Sequence, residues 1–265
     1  MTPTTNLPTI GILGVGVIGS ALVRGFATAQ PEYPLVLSSL DKENMTALYA
    51  SFPERVRLAS NNQQLLDEAD WVILALPPAK GKTVLQELSF RPNHKVINLL
   101  ADKSLTQIAA WIGSTALLAH MVPLPFIAQH IGPIVIYPFS DDLYQLMAPL
   151  GEVIVAQNPH EVHVFQAITA LMAPFDTLLD GIVQWAGKQG VEEMLAKAYT
   201  AAFFGAICQQ VASVPTGRLH ELTNEMTPGG LNALAKEYIQ MNSAFSPWVE
   251  ALDPVMARLD NRHRF

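Results

Sequence analysis

The segment GILGVGVIGSA, from Gly11 to Ala21, constrains the fold more than any other part of the chain. An apolar run, Thr9–Leu13, leads into glycines at 14, 16 and 19, and an amphipathic stretch, Ile18–Ala29, follows. Strand, glycine-rich turn and helix, in that order, form the setting that the spacing G-x-G-x-x-G requires. Gly14 permits a tight turn, Gly16 lets the backbone lie against a ligand, and Gly19 lets the helix pack close to the strand. The turn runs from Gly14 through Val15, Gly16, Val17 and Ile18 to Gly19. It opens a helix whose first N–H groups and partial positive charge suit a pyrophosphate. These six residues read as a dinucleotide-binding fingerprint.

The pattern continues in kind. Predicted strands are Thr9–Leu13, Leu35–Ser38, Val56–Leu58, Trp71–Leu76, Lys95–Leu99, Ala116–Ala119, Ile134–Tyr137 and Val153–Val155. Several are continuous apolar runs, as expected of strands covered on both faces. Helical patterns separate them: Ile18–Ala29, Lys42–Ser51, Asn62–Glu68, Lys80–Leu88, Ser104–Trp111 and Asp142–Leu150. From Asn158 onward no period-two strand is found, and helical periodicity dominates. The fold class is α/β. An N-terminal Rossmann-type doubly wound sheet spans 1–157, and an all-α dimerisation and substrate domain spans 158–265.

Composition excludes several alternatives. Of 265 residues, 50% are hydrophobic and 15% charged, and the mean hydropathy is +0.24. A disordered chain needs the opposite balance. The net charge of −7 argues against a nucleic-acid surface. Cys208 is the single cysteine, so neither an internal disulfide framework nor a Cys-based zinc site is available, and a reducing, cytoplasmic setting fits. Met1–Pro8 has no basic leader character. Ser104–Ser140 carries no Asp, Glu, Lys or Arg. Pro123, Pro125, Pro133 and Pro138 interrupt it, so it reads as buried strands and a loop and no membrane span is expected.

Cofactor choice is read at the end of the second strand. An NAD-binding chain carries an acid there for the ribose diol. Here the tip is Ser38-Ser39, with Asp41 late and Lys42 the nearby cation. Two hydroxyls donate to a 2′-phosphate without repelling it, which favours NADP over NAD. A second signature is Thr227-Pro228-Gly229-Gly230-Leu231-Asn232, ahead of a helical stretch Leu231–Met241. Thr227 is expected as the N-cap and Pro228 in the first turn. The paired glycines suit either a plain junction or close approach of an anion. In the same domain, Ala198–Gly217 carries no formal charge. A helix apolar on most faces needs burial all round, which a second copy of the chain supplies; a central helix in a monomeric bundle is the other solution.

The glycine turn, the element Ala75-Leu76-Pro77-Pro78 and Thr227–Gly230 together resemble the pyrroline-5-carboxylate reductase family, from Pro8 to about Val255. The resemblance implies NAD(P)H-dependent hydride transfer to the C=N bond of a cyclic imino acid, L-proline being the usual product, by a homodimer or higher homo-oligomer assembled through the helical domain. It implies cofactor contacts at Gly14–Gly19, Ser38, Ser39, Asn62, Ala75, Leu76 and Pro77. Substrate contacts are implied at Met121, Val122, Pro228, Gly229 and Gly230, with Thr227 and Asn232 in the catalytic position. The sequence also departs from the family. Ala119-His120-Met121-Val122-Pro123-Leu124-Pro125 stands where the family has R-x-M-P-N-T-P, and Pro77 replaces the lysine of A-V-K-P. Asn232 replaces a threonine, and Leu100-Ala101-Asp102 replaces A-A-G.

Two other functions are compatible with these residues. One is a hydroxyacid-type dehydrogenase with Lys197 as the acid, although Ala201 stands where its companion asparagine is expected. The other is an NADP-binding regulator without catalysis. His120 is expected just past a strand end, as a structural histidine or facing the nicotinamide. His160 and His163 share a helix face, but no carboxylate or cysteine pattern accompanies them and no metal is expected.

Overall fold

A computed structural model describes residues 7–29, 31–38, 41–224 and 227–260. Strands and helices alternate through the first part: β1 (Ile10–Leu13), α1 (Val17–Thr28), β2 (Leu35–Ser38), α2 (Lys42–Ser51), β3 (Val56–Leu58), α3 (Asn62–Glu68), β4 (Trp71–Leu74), α4 (Pro78–Gln86), β5 (Lys95–Asn98), α5 (Leu105–Ile112), β6 (Leu117–Val122), β7 (Pro133–Tyr137), α6 (Asp141–Met147) and β8 (Glu152–Val155). The sheet order is β3-β2-β1-β4-β5-β6-β7-β8. Every neighbouring pair is parallel except β6–β7. The order reverses between β1 and β4, which is the switch point where doubly wound sheets bind ligands.

The apolar strands are covered on both faces. Ile10, Ile12, Leu37, Ile73 and Ile97 pack with Leu22 and Phe26 of α1, Leu48 of α2 and Leu143 of α6. Leu13, Val36, Val72, Leu74 and Val96 pack on the opposite side with Leu65 and Leu66 of α3, Leu85 of α4 and Ile108 of α5. Each such side chain contributes about 1.5–3 kcal/mol on burial, so the alternating faces fix the register of every inner strand. Ser104 caps α5 and forms a capping box with Gln107, so the helix starts at Leu105, one residue later than its periodicity predicts.

The charge-free stretch Ser104–Ser140 folds as α5, β6, a 3-10 turn at Pro125–Gln129, and β7. Strand β6 runs to Val122, three residues past the predicted end at Ala119, because antiparallel β7 pairs with it through His120, Met121 and Val122. Among the described residues one helical stretch, Pro159–Lys188, has the length and apolar character of a membrane span. It is two helices, α7 (Pro159–Thr169) and α8 (Met172–Lys188), separated at Ala170–Leu171.

Two compact units result: Met1–Gln166 with Arg258–Phe265, and Ala167–Ala257. The division lies further along than Gln157, because α7 stays with the sheet. Val162 of α7 packs on Val122, Val135 and Ala156, and His163 pairs with Asp260 at 2.8 Å. The second unit holds α8, α9 (Glu193–Ser213), a 3-10 turn Leu219–Asn224, α10 (Leu231–Met241), α11 (Ser246–Glu250) and most of α12 (Leu252–Leu259). The Glu192 carboxylate caps α9, accepting from the Met194 and Leu195 N–H groups. Phe175 of α8 meets Phe204 of α9 edge-on at 5.8 Å. On α9 only Ala196 and Thr200 are buried, while Tyr199 is 72% exposed. Within one chain the uncharged helix is therefore not the buried centre of a bundle.

Candidate dinucleotide site

The glycine turn has the geometry its spacing predicts. Gly14 has φ +100°, and a Cβ there would stand 2.5 Å from the Ala75 carbonyl oxygen. A side chain on Gly19 would run into the Gly14 carbonyl. Gly16 is different: a Cβ on it meets nothing within 4 Å. Two glycines are thus required by the fold, and the third leaves bare backbone facing open space. Gly16 is the N-cap of α1 and has no side-chain cap, and no acid lies in the first turn. The first helical bond is Ser20 N–H to Gly16 O, so the N–H groups of Val17, Ile18 and Gly19 have no partner within the helix. This is an electropositive, uncapped terminus that fits a pyrophosphate.

Neighbouring strands hold the turn in place. The Gly14 N–H donates to Ser38 O, and the Ala75 N–H donates to Leu13 O. The Ala75-Leu76-Pro77 element therefore lines the turn, and Pro77 caps α4 with Pro78 in its first position. Ser38 and Asn62 are brought together, the Ser38 hydroxyl donating to Asn62 Oδ1 at 2.6 Å. Ser38 is buried, so its donor serves the protein and not a 2′-phosphate, which corrects the role expected for it. The side chain shares a sheet face with Leu13 and turns toward α3. Ser39 lies outside the described residues. Asp41 caps α2, accepting from the N–H and the side-chain amide of Asn44, and the same amide reaches Val15 O at 3.3 Å. Lys42, the first residue of α2, is exposed.

Sequence reading passed over Asn44 and Asn98. Asn98 ends β5; its Oδ1 accepts from Leu100 N–H at 3.0 Å and its amide donates to Lys103 O at 3.1 Å. It thereby shapes the loop that carries Asp102 and Lys103, themselves paired at 2.9 Å. A polar residue closing an otherwise apolar strand was the available signal. Met121 and Val122 lie within β6, not beyond it, with their side chains in the core. His120 also lies inside β6, where a position past its end was expected.

In the second unit, Thr227–Gly230 forms a turn. The Gly230 N–H donates to Thr227 O at 2.9 Å, and Gly229 has φ +69°. Pro at the second position and a positive-φ glycine at the third are the signature of a type II turn. The N-cap of α10 is Gly230, without a side-chain cap, and not Thr227 as expected. The turn displaces the helix start by three residues and uses the Gly230 N–H. The uncommitted helical N–H groups belong to Leu231, Asn232 and Ala233, since the ladder begins at Leu234 N–H to Gly230 O. Lys197 is exposed on α9.

Comparison with known proteins agrees with this arrangement. Residues 9–102 match the family described as NADP oxidoreductase, coenzyme F420-dependent. No curated protein matches the chain. Among solved structures, 1-pyrroline-5-carboxylate reductase from Streptococcus pyogenes is similar at 20% identity, with TM-score 0.83, over 97% of this chain and 100% of that one. Plasmodium falciparum pyrroline carboxylate reductase with NADP bound is similar at 17% identity, with TM-score 0.82, over 96% and 97%. An imine reductase variant from Myxococcus stipitatus in complex with NAD+ matches at 17% identity, with TM-score 0.53, over 95% and 98%. The first unit is a Rossmann-type domain, and the chain as a whole has the fold of the pyrroline-5-carboxylate reductases at low sequence identity.

Proposed function

We propose that this chain is an NAD(P)H-dependent reductase of the C=N bond of a cyclic imino acid, working as a cytoplasmic homodimer with NADPH preferred. The observation that carries the reading is the uncapped start of α1, with Gly16 facing open space and Val17, Ile18 and Gly19 offering N–H groups. When bound, the dinucleotide supplies a hydride at nicotinamide C4.

The rest concerns what the chain's own residues do. Gly14 and Gly19 hold the turn against Ala75, and the α1 terminus binds the pyrophosphate. NADPH preference rests on Lys42 at the α2 start and on the commitment of the Asp41 carboxylate to Asn44, which leaves it poorly placed to accept from a ribose diol. The substrate carboxylate is assigned to the uncommitted Leu231, Asn232 and Ala233 N–H groups at the α10 start, with the Asn232 amide as a further substrate contact. A protonated cyclic imine is already electrophilic, so positioning is the main requirement and a strong side-chain acid is not needed. The homodimer is supported by the exposed apolar face of α9.

Steady-state oxidation of NADPH with 1-pyrroline-5-carboxylate tests the reading. Turnover is expected, with Asn232→Leu lowering kcat/KM about tenfold while NADPH affinity holds. No oxidation with this or any other cyclic imine by NADPH-bound protein would overturn it.

A further inference from the structure

The start of α2 holds more hydrogen bonds around one carboxylate than a helix cap requires. Asp41 Oδ1 accepts from the Asn44 backbone N–H at 2.9 Å, the ordinary N-cap bond. That bond would form with any residue but proline at position 44. The other carboxylate oxygen, Oδ2, accepts from the Asn44 side-chain amide at 2.8 Å. The same amide nitrogen donates to Val15 O at 3.3 Å. An amide nitrogen carries two hydrogens, so both bonds can be held at once. Neither is needed to begin the helix.

Their place in the fold gives them a meaning. Val15 stands between Gly14 and Gly16, on the turn assigned to the pyrophosphate. One side-chain amide therefore ties the Asp41 carboxylate to that turn. In a doubly wound domain the adenosine ribose lies between the glycine turn and the end of the second strand, where an acid accepting from the ribose hydroxyls marks NAD. Asp41 comes shortly past the end of β2. Asp41, Lys42 and Asn44 are all exposed, so a ligand can reach them. An acid is present beside the turn and accessible, but its second oxygen is occupied by Asn44.

We propose that Asn44 is a positioning residue that sets cofactor choice. Its amide holds the Asp41 carboxylate against α2 and the turn, so the acid neither accepts from a ribose diol nor faces a 2′-phosphate. The proposal rests on the dinucleotide reading of this site and on the NADPH preference, and not on the substrate. Without the amide, Oδ2 is released beside the ribose. A released carboxylate takes charge-assisted hydrogen bonds from the diol of NADH, and it repels the extra phosphate of NADPH. Lys42 favours the phosphate in either case. Ser38 does not enter, because its hydroxyl is committed to Asn62.

Fluorescence titrations with NADPH and NADH test this on the parent, Asn44→Ala, Asp41→Asn and the double variant. Asn44→Ala is expected to tighten NADH and weaken NADPH, moving the ratio of their dissociation constants about tenfold toward NADH. The thermal midpoint of the free protein is expected to hold, since the backbone cap bond remains. In the Asp41→Asn background the same alanine is expected to move the ratio less than about threefold, because no carboxylate is left to release. A merely structural role would weaken both dinucleotides alike and leave the ratio in place.

A ratio that moves less than about threefold in Asn44→Ala overturns the proposal, and so does a shift that survives in the double variant. A parent that already prefers NADH overturns it too. Should Asn44→Ala not fold, Asn44→Leu, close in size and without a donor, reads the same ratio. A parent that binds NADPH but reduces no imine removes the reduction reading and leaves this one standing. A parent that binds neither dinucleotide removes both.

Discussion

In the first unit the strands and the helices on them close a core in which Phe26, Leu22 and Ile73 are essentially inaccessible, with Phe139 and Ile131 among the apolar side chains left exposed at its surface. In the second unit Tyr199 is 72% exposed, Trp185 62% and Met241 77%. Both units are apolar in sequence, so composition does not separate them. A parallel sheet covered by helices on two faces consumes its own apolar surface. A handful of helices without a sheet does not, and surface of this kind marks an interaction site. The first unit therefore closes its own core, and the exposed apolar side chains of the second are the surface that the proposed homodimer would cover.

The largest expected effect separates glycines that build the turn from the one that serves a ligand. Gly14→Ala puts a Cβ at positive φ and 2.5 Å from the Ala75 oxygen, so both the thermal midpoint and NADPH binding are expected to fall, the latter by more than about 100-fold. Gly16→Ala, with open space around its Cβ, is expected to leave the midpoint in place and weaken NADPH about tenfold. Thermal melts paired with fluorescence titrations check both. Equal damage to folding by the two variants would erase the distinction.

Next comes the interface. Tyr199→Asp puts a charge on the exposed face of α9, and the dimer dissociation constant is expected to rise about 100-fold with the first unit's NADPH affinity intact. Light scattering across a dilution series reads this. A parent chain that is monomeric at micromolar concentration contradicts the contrast between the units.

The first unit also predicts a pH response. The His120 pKa lies below its unfolded value, so the unfolded state binds more protons between about pH 6.5 and 4. Its stabilising contribution is complete above pH 6.5 and is lost as pH falls toward 4, by about 3 kcal/mol at most. Urea midpoints measured over this range should drop more steeply for the parent than for His120→Gln. Parallel curves would mean that the ring titrates normally.

The smallest effect concerns Ser38. Removing its hydroxyl in Ser38→Ala breaks the bond to Asn62 and is expected to cost about 1 kcal/mol of stability. The NADPH-to-NADH affinity ratio should move less than about threefold. A collapse of that ratio would return Ser38 to the phosphate site.

The sequence made the sheet legible because each βα unit carries a local signal: apolar runs of strand length and a glycine turn whose three positions have separate steric reasons. The ends of β6 were less legible. His120 and Val122 extend it only because antiparallel β7 lies alongside, and that pairing is non-local. The helix start at Thr227 was misjudged for a related reason. A Thr-Pro-Gly-Gly segment satisfies both an N-cap pattern and a type II turn, and the hydrogen bond from Gly230 N–H to Thr227 O decides between them. Ser38 was found but its direction was not, since the face a strand residue takes follows from which helix covers it.

The most direct test of the account is transfer of label. The protein is incubated with 1-pyrroline-5-carboxylate and NADPH carrying deuterium at nicotinamide C4 on each face in turn, and the product is examined by mass spectrometry. The account predicts a pyrrolidine carboxylate with one deuterium on the former imine carbon, from one face only. Unlabelled imine recovered beside intact labelled NADPH, while a ketone takes up the label under the same conditions, would contradict it.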